Sequence, residues 1–353
     1  MKKAPRGSGP ILRREIFSQP TVLQRILDKE TTRAESVARA VRRRDPRMVL
    51  VVARGSADNA GLYGKYLFGA HNGKVVALAT PSLFTRYRRP PDVRDALVIA
   101  ISQSGESYDV VEVVETARKA GALSVALTNT PGSPLARAAD EVLLCHAGPE
   151  RSVAATKTYS AQVMLLALLS SAMESSRRHM EELRVMPEKV TEALLVEDQV
   201  AMVAERLRYL EQCAVVGRGF CYGTAFELAL KLEELTYVVA QPYSSADFRH
   251  GPIAVVDPGF CVVLLAPSGK ILPDVRLLLE QLGQRRAEVI AIADRRGLLR
   301  KATRGVPLPA GVPEWLAPLT CVVPGQLLAM HLCAVKGYPL DRPRGLSKVT
   351  RTL

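Results

Sequence analysis

The 353-residue chain reads as an α/β protein made of two consecutive units, each a parallel β-sheet flanked by helices. Three observations lead there. Short apolar, partly β-branched runs alternate with helically spaced segments across short loops, the pattern of parallel sheets covered on both faces. One such run, Asp95 to Ile101, stops abruptly at Ser102-Gln103-Ser104-Gly105-Glu106-Ser107, and Val110, Val111, Val113, Val114 and Ala117 then follow at helical spacing. That is a strand, a tight polar turn and a helix start. Finally, the pattern occurs twice. Gly55 and Gly219, and again Gly105 and Gly269, stand the same 164 residues apart, and Glu288 to Ile292 matches Leu123 to Leu127 nearly in step. Equal spacing at separated places marks a tandem repeat.

In chain order, residues 1–45 are polar and basic, with helical spacing from Ile16 to Arg44, and form an N-terminal helical arm. Residues 46–175 hold strands at Arg47–Ala53, Val75–Leu78, Asp95–Ser102, Ser124–Thr128 and Glu141–Cys145. The turn Pro149–Thr158 then leads into an Ala/Leu-rich helix that runs to about Met173. Residues 176–200 lie in a charged, mostly helical connector. The second unit covers 201–335, and residues 336–353 form a tail carrying Lys348.

The first unit's serine turn has the makings of an anion site. The first N–H groups of a helix lack partners and its dipole is positive there. Ser102, Ser104 and Ser107 add hydroxyls, and Gly105 lets the backbone come close. The competing reading is an ordinary N-cap with serines facing water. The second copy has Pro267-Ser268-Gly269-Lys270 instead, so one anion site per chain is expected.

A net charge of +13 suits either nucleic acid or small anions such as sugar phosphates. The basic residues are scattered and no aromatic ladder accompanies them, which argues against nucleic acid. The six cysteines form no C-x-x-C pair and lie mostly in apolar segments, as expected of buried thiols. The five histidines show no metal-site spacing with them, so neither a metal nor another cofactor is expected. No apolar stretch follows the basic N-terminus, and the apolar run Val163–Leu169 is too short to span a bilayer. A soluble, cytoplasmic protein without a membrane partner is the expectation.

Five motifs in order carry a family resemblance: Ser102–Ser107, Val153-Ala154-Ala155-Thr156-Lys157, Glu227–Glu234, Arg249-His250-Gly251-Pro252 and Pro343–Lys348. With them the chain resembles the tandem sugar-isomerase (SIS) family from about Val49 onward. It is particularly similar to the isomerase half of glucosamine-6-phosphate synthase and to SIS-type glucosamine-6-phosphate deaminases. The resemblance implies two flavodoxin-like three-layer sandwiches. It also implies that Ser102, Gln103, Ser104 and Ser107 hold the phosphate of a hexose 6-phosphate, with Gly55 and Ser56 at the first turn assisting. The backbone at Val153 and Ala154 would contact the sugar. Glu234 would move the proton between C1 and C2, His250 of a neighbouring subunit would help open the ring, and Lys348 would attend the open-chain carbonyl. Lys231 joins the binding residues. A homodimer with a shared active site follows from the role of His250.

That chemistry needs such groups: one base reaching C1 and C2, an imidazole for ring opening, and an amine or ammonium near the carbonyl. Plainer readings stand beside each. Glu227 and Lys231 are spaced to pair on a solvated helix face, which would make Lys231 a salt-bridge lysine and Glu234 its neighbour. His250 reads equally as a loop histidine and Lys348 as a tail charge, and Tyr237 and Tyr243 read as packing residues. Ala57 and Ala155 stand where many synthases carry hydroxyls, and the ending Val349–Leu353 departs from the family's. No glutaminase domain precedes the SIS pair, so glutamine-dependent transfer is not expected. The favoured activity is conversion of an amino sugar phosphate, glucosamine 6-phosphate first, to fructose 6-phosphate and ammonia. The alternatives are a fructosamine-phosphate deglycase and a non-catalytic sugar-phosphate sensor.

Overall fold

The computed structural model describes residues 10–348; the first nine residues of the N-terminal arm and the ending Val349–Leu353 lie outside the described residues. Helices α1 (Ile11–Phe17) and α2 (Gln19–Arg44) open the chain, so helix begins earlier than Ile16. The first repeat follows as β1 (Met48–Val52), α3 (Ser56–Asn72), β2 (Val75–Leu78), α4 (Pro81–Thr85), β3 (Ala96–Ser102), α5 (Tyr108–Lys119), β4 (Leu123–Thr128), α6 (Pro134–Ala138), β5 (Glu141–Leu144) and α7 (Lys157–Glu174). The connector is helical throughout, as α8 (Arg177–Arg184), α9 (Met186–Leu194) and α10 (Glu197–Arg206). The second repeat comprises β6 (Gln212–Val216), α11 (Tyr222–Thr236), β7 (Val239–Tyr243), α12 (Ser245–Arg249), β8 (Cys261–Ala266), α13 (Leu272–Gln284), β9 (Glu288–Ala293), α14 (Arg296–Lys301), β10 (Arg304–Pro307) and α15 (Ala317–Val335).

The chain divides into two compact bodies. One holds Thr21–Pro149 and Lys157–Val185; the other holds residues 10–20, Glu150–Thr156 and Met186–Lys348. The turn Glu150–Thr156 thus groups with the second sheet although it lies in the first repeat.

In the first body the sheet runs β2-β1-β3-β4-β5, every pair parallel, with Val52 opposite Ala100 and Ser102 opposite Thr128. β3 is buried along its whole length, which is why it reads as an unbroken apolar run. On one face Val98, Ala100, Val110, Val113, Val114 and Leu135 form a continuous core. This strand order reverses direction between β1 and β3, and ligands of open α/β sheets gather beyond the strand ends at that switch point. Both polar turns singled out in the first repeat, Arg54-Gly55-Ser56 and Ser102–Ser107, leave the sheet there.

In the second body the order β7-β6-β8-β9-β10 is the same topology, again fully parallel. β6 and β1 are related by the 164-residue step, as are the starts of α13 and α5. The longest buried element is α15. Its window Glu314–Val335 is long and apolar enough to cross a membrane, yet 83% of it is buried inside the protein. It packs closely on α11 because Gly325 has no side chain: a Cβ there would stand 2.2 Å from Leu228 Cγ. All six cysteines are free and buried, and burial pushes the Cys213 thiol up to about 12.

Candidate active site

The serine turn of the first body is folded in on itself. Ser102, 5% exposed, accepts the Gly105 N–H at its Oγ (3.1 Å) and lies 3.2 Å from Ser107 Oγ. Ser104 Oγ accepts the Glu106 N–H at 3.2 Å. Ser107 occupies the N-cap of α5 and makes no side-chain cap bond. The next loop braces the turn, with Asn129 N donating to Gln103 O at 3.1 Å and Leu135 N to Gly105 O at 3.0 Å. Gly105 is required twice over. Its φ is +67°, and a Cβ would lie 2.1 Å from Ser133 Oγ.

At the neighbouring turn Gly55, with φ +57°, is the N-cap of α3 and Ser56 is its first residue. Arg54 reaches across to α5, its Nε donating to Asp109 Oδ2 at 2.6 Å. The guanidinium therefore sits half-exposed over the first turn of α5. Asp58 lies near it; burial pushes that carboxyl up and Arg54 partly offsets the shift. A helix N-terminus, hydroxyls and a guanidinium together make a site for an oxyanion.

The second copy shows what became of the same nest. Lys270 N and Ile271 N, the equivalents of Glu106 and Ser107, donate to the two carboxylate oxygens of Glu314 at 2.8 and 3.1 Å. An internal carboxylate holds the place an external anion would take.

The predicted acid–base residues lie in the second body. On α11, Lys231 is 1% exposed and Glu227 fully buried, with Nζ 3.6 Å from Glu227 Oε1, and Nζ also hydrogen-bonds Glu234 Oε2. This overturns the solvated-face reading of that pair. Burial pushes the Lys231 ammonium down, but Glu227, Glu234 and Glu150 outweigh it and hold the group protonated. Glu234 is the accessible end of the row, its side chain 22% exposed.

Glu150 ties this row to the tail. It is buried; its Oε1 accepts the Thr156 N–H at 2.9 Å and its Oε2 accepts from Lys348 Nζ at 2.8 Å. Lys348 is thus held, not a loose tail charge. Between Glu150 and Thr156 lie Val153 and Ala154. Glu15 of α1 accepts the N–H groups of Arg151 and Ser152 (2.6 and 3.2 Å), and Val153 N approaches Asp341 O at 3.4 Å. Asp341 in turn accepts from Ile11 N and Leu12 N. Tyr237 is more than packing. At φ +58° it caps α11, its hydroxyl accepts the Arg344 N–H at 2.9 Å, and the Arg344 guanidinium lies 4.0 Å from its ring centre.

His250 stands apart. It is exposed at the end of α12, and among the described residues its ring makes no hydrogen bond. The loop that carries it is clamped by Asp274, which hydrogen-bonds Ser245 Oγ and the Arg249 guanidinium and takes Arg218 Nη1 at 2.7 Å. Arg218 is the repeat equivalent of Arg54, so an arginine-to-carboxylate tie at the helix start recurs in both copies. Burial raises the Asp274 carboxyl, but Ser245, Arg218 and Arg249 together lower it below the usual carboxylate range.

Within the first body, then, Gly55, Ser56, Ser102, Gln103, Ser104 and Ser107 share the switch-point edge. Within the second, Lys231 hydrogen-bonds Glu234 and feels the charge of Glu150, which holds Lys348 and flanks the turn with Val153 and Ala154; His250 belongs to neither set. The sequence reading missed Glu150 and Asp274. Glu150 had a signal, a lone acid just before the Val153–Lys157 motif; Asp274 had none beyond its place at a helix start.

A twice-repeated flavodoxin-like sheet with a serine nest at the first switch point defines a class. The chain belongs to the SIS domain family, which matches it twice, over residues 44–172 and 206–336. Among named proteins it is 36% identical over 342 residues to the isomerizing glutamine–fructose-6-phosphate aminotransferase of Pyrococcus horikoshii, covering 95% of this chain and 56% of that one. The enzyme of that name from Thermus thermophilus is also 36% identical, over 99% of this chain and 60% of its own. The chain therefore spans little more than half the length of these relatives. Of solved structures, the C-terminal domain of the glucosamine–fructose-6-phosphate aminotransferase of Francisella tularensis matches with TM-score 0.86 at 26% identity, over 97% of this chain and 100% of that one. A candidate phosphosugar isomerase from Silicibacter pomeroyi matches with TM-score 0.85 at 32% identity, over 94% and 99%.

Proposed function

We propose that this chain is a phosphosugar aldose–ketose isomerase that deaminates an amino sugar phosphate, glucosamine 6-phosphate in the first instance, to fructose 6-phosphate and ammonia. The observation that carries the reading is the buried row Glu227–Lys231–Glu234 with one accessible carboxylate, its lysine also under the charge of Glu150, which holds Lys348. The serine turn, closed on itself and set at a helix start, supports a phosphate role for Ser102, Gln103, Ser104 and Ser107, with Gly55 and Ser56 beside it. The relatives that act on fructose 6-phosphate by name support the substrate class.

In this reading His250, donated by a second copy of the chain, moves the proton that opens the ring. Its exposure on a braced loop supports that assignment. Glu234 takes the proton from C2 of the open aldose and returns it to C1, while one proton of the substrate's ammonium passes to the C1 oxygen, leaving a C1 hydroxyl and an iminium at C2. Water adds to that carbon, the C–N bond breaks, and ammonia departs with the proton the adduct gives up. Lys348, held by Glu150, stabilises the oxygen at C1 while the enolamine forms. Lys231, hydrogen-bonded to Glu234 Oε2, holds that carboxylate turned in one direction. Val153 and Ala154 offer backbone groups to the sugar.

The test is a panel of glucosamine 6-phosphate, glucose 6-phosphate and fructosyl-amino-acid phosphates, read for ammonia and ketose. Ammonia and fructose 6-phosphate from the first are expected. Ketose without ammonia would reduce the activity to plain isomerisation, amino acid release from the third would make it a deglycase, and binding without turnover of any would leave a sensor. Mixing Glu234→Gln and His250→Ala chains should restore part of the lost activity; no gain on mixing would rule out a shared site.

A further inference from the structure

The serine turn lies beyond the carboxyl ends of the first sheet. At the opposite edge three side chains converge that the chemistry above does not use. His71, in the last turn of α3, stacks on His179, in the first turn of α8, with ring centres 4.5 Å apart and planes 19° from parallel. Glu174, the last residue of α7, brings Oε2 to 2.8 Å from His179 Nδ1. One donor atom from each of the three lies within 4.8 Å of the others. A cavity of about 210 Å³ adjoins them, lined in part by His71, Glu174 and Asp45.

Two basic side chains that line the same cavity, Arg42 and Lys74, are engaged elsewhere. Lys74 Nζ is engaged by Pro46 O at 2.7 Å and Asp45 Oδ1 at 3.5 Å. The Arg42 guanidinium donates to the carbonyls of Ala172 and Met173. The helix ends that carry the donors are tied together. Asn72 Nδ2 donates to Ser170 O, and Ser170 Oγ to Asn72 Oδ1, at 3.1 and 2.7 Å.

We propose that His71, His179 and Glu174 form a binding site for a first-row divalent transition-metal ion, with Zn²⁺ as its type. Two imidazole nitrogens and a carboxylate oxygen are a donor set of the right hardness. Bond lengths of about 2.0–2.2 Å place tetrahedral donors roughly 3.3–3.5 Å apart. The donors lie within 4.8 Å of one another, so no pair must close by more than about 1.5 Å, a movement that side-chain rotation supplies. The cavity leaves a fourth position for water. A bound ion would pin the ends of α3 and α7 to the start of α8, far along the sheet from the serine turn. Its role is thus stability, with turnover unchanged. Chain spacing could not show this site, because His71 and His179 are brought together only by the fold.

The test uses the full chain, stripped with chelator and dialysed. Titration calorimetry with ZnCl₂ alone, and the visible spectrum on adding CoCl₂, read binding; circular dichroism reads folding and the thermal midpoint. About one equivalent of Zn²⁺ is expected, with a midpoint raised by several degrees. His71→Ala and His179→Ala should each weaken binding at least tenfold. The milder double variant His71→Gln/His179→Gln, folded by circular dichroism, should abolish it. Absence of stoichiometric binding overturns the proposal, as does binding that persists unchanged in the double variant.

Discussion

Replacing Lys231 by Met probes the charge row on α11. The substitution keeps the length of the stem and removes the cation that Glu227 and Glu234 share. Lys231 is 1% exposed and Glu227 0%, so water cannot take over the lost interaction. Breaking a buried pair by deleting one partner costs about 3–5 kcal/mol, because the other charge stays behind. Neutralising both, as Lys231→Met/Glu227→Gln, should recover most of that loss. The pH dependence has a definite sign. In the single variant the stranded Glu227 carboxyl takes a raised pKa on folding. Its contribution is fully present below the unfolded carboxyl pKa of about 4.3 and is lost as pH rises through the raised folded value. In the parent, the raised Lys231 pKa gives stability that is present throughout neutral pH and lost only on strong alkalinisation. The deficit of the variant should therefore be larger at pH 8 than at pH 5. Urea unfolding followed by fluorescence is suited to this, since the single tryptophan, Trp315, is 5% exposed in the same body. A loss under about 1 kcal/mol, or one equal at both pH values, would refute a buried, charged pair.

Three further outcomes follow from the geometry. Gly105→Ala forces a Cβ toward Ser133 Oγ at a positive φ, which alone costs about 1–2 kcal/mol; calorimetry should show phosphate affinity falling at least tenfold, and unchanged affinity would remove the nest from the binding account. Glu314→Ala removes the acceptor of the part-buried Ile271 N–H and of the exposed Lys270 N–H, which water can take over, at a net cost of about 0.5–1.5 kcal/mol. Added sulfate should raise the variant's thermal midpoint more than the parent's, and equal responses would deny that the second nest is an occupied anion site. Asp274→Asn should lower kcat about tenfold with little change in KM and partial rescue by Asp274→Glu, consistent with loss of charge-assisted bonds on the His250 loop; a change in KM alone would assign Asp274 to substrate binding instead.

Much of this was legible in the sequence, for physical reasons that differ between elements. β3 and β8 are buried along their length, so their runs are apolar throughout and stop where the polar turn begins. The repeat showed as a constant step because both sheets place β1 and β6, then α5 and α13, in the same register. The serine turn was visible since its hydroxyls interrupt an apolar pattern. What pattern could not supply was burial of the Glu227–Lys231 pair: an i,i+4 acid–base spacing looks the same on a wet face as in a core. Glu150 and Asp274 act through long-range bonds to Lys348, Arg218 and Arg249, and single acids before a motif or at a helix start are common. Likewise α15 escaped notice because it is buried on nearly every side and shows no amphipathic period.

The central claim is that Glu234 moves the proton while the serine turn holds the phosphate, and Glu234→Gln separates the two. Fructose 6-phosphate binding should stay within about threefold of the parent by calorimetry, while ammonia release from glucosamine 6-phosphate falls by about 10²–10⁴. A variant that binds normally and turns over within tenfold of the parent would contradict the account.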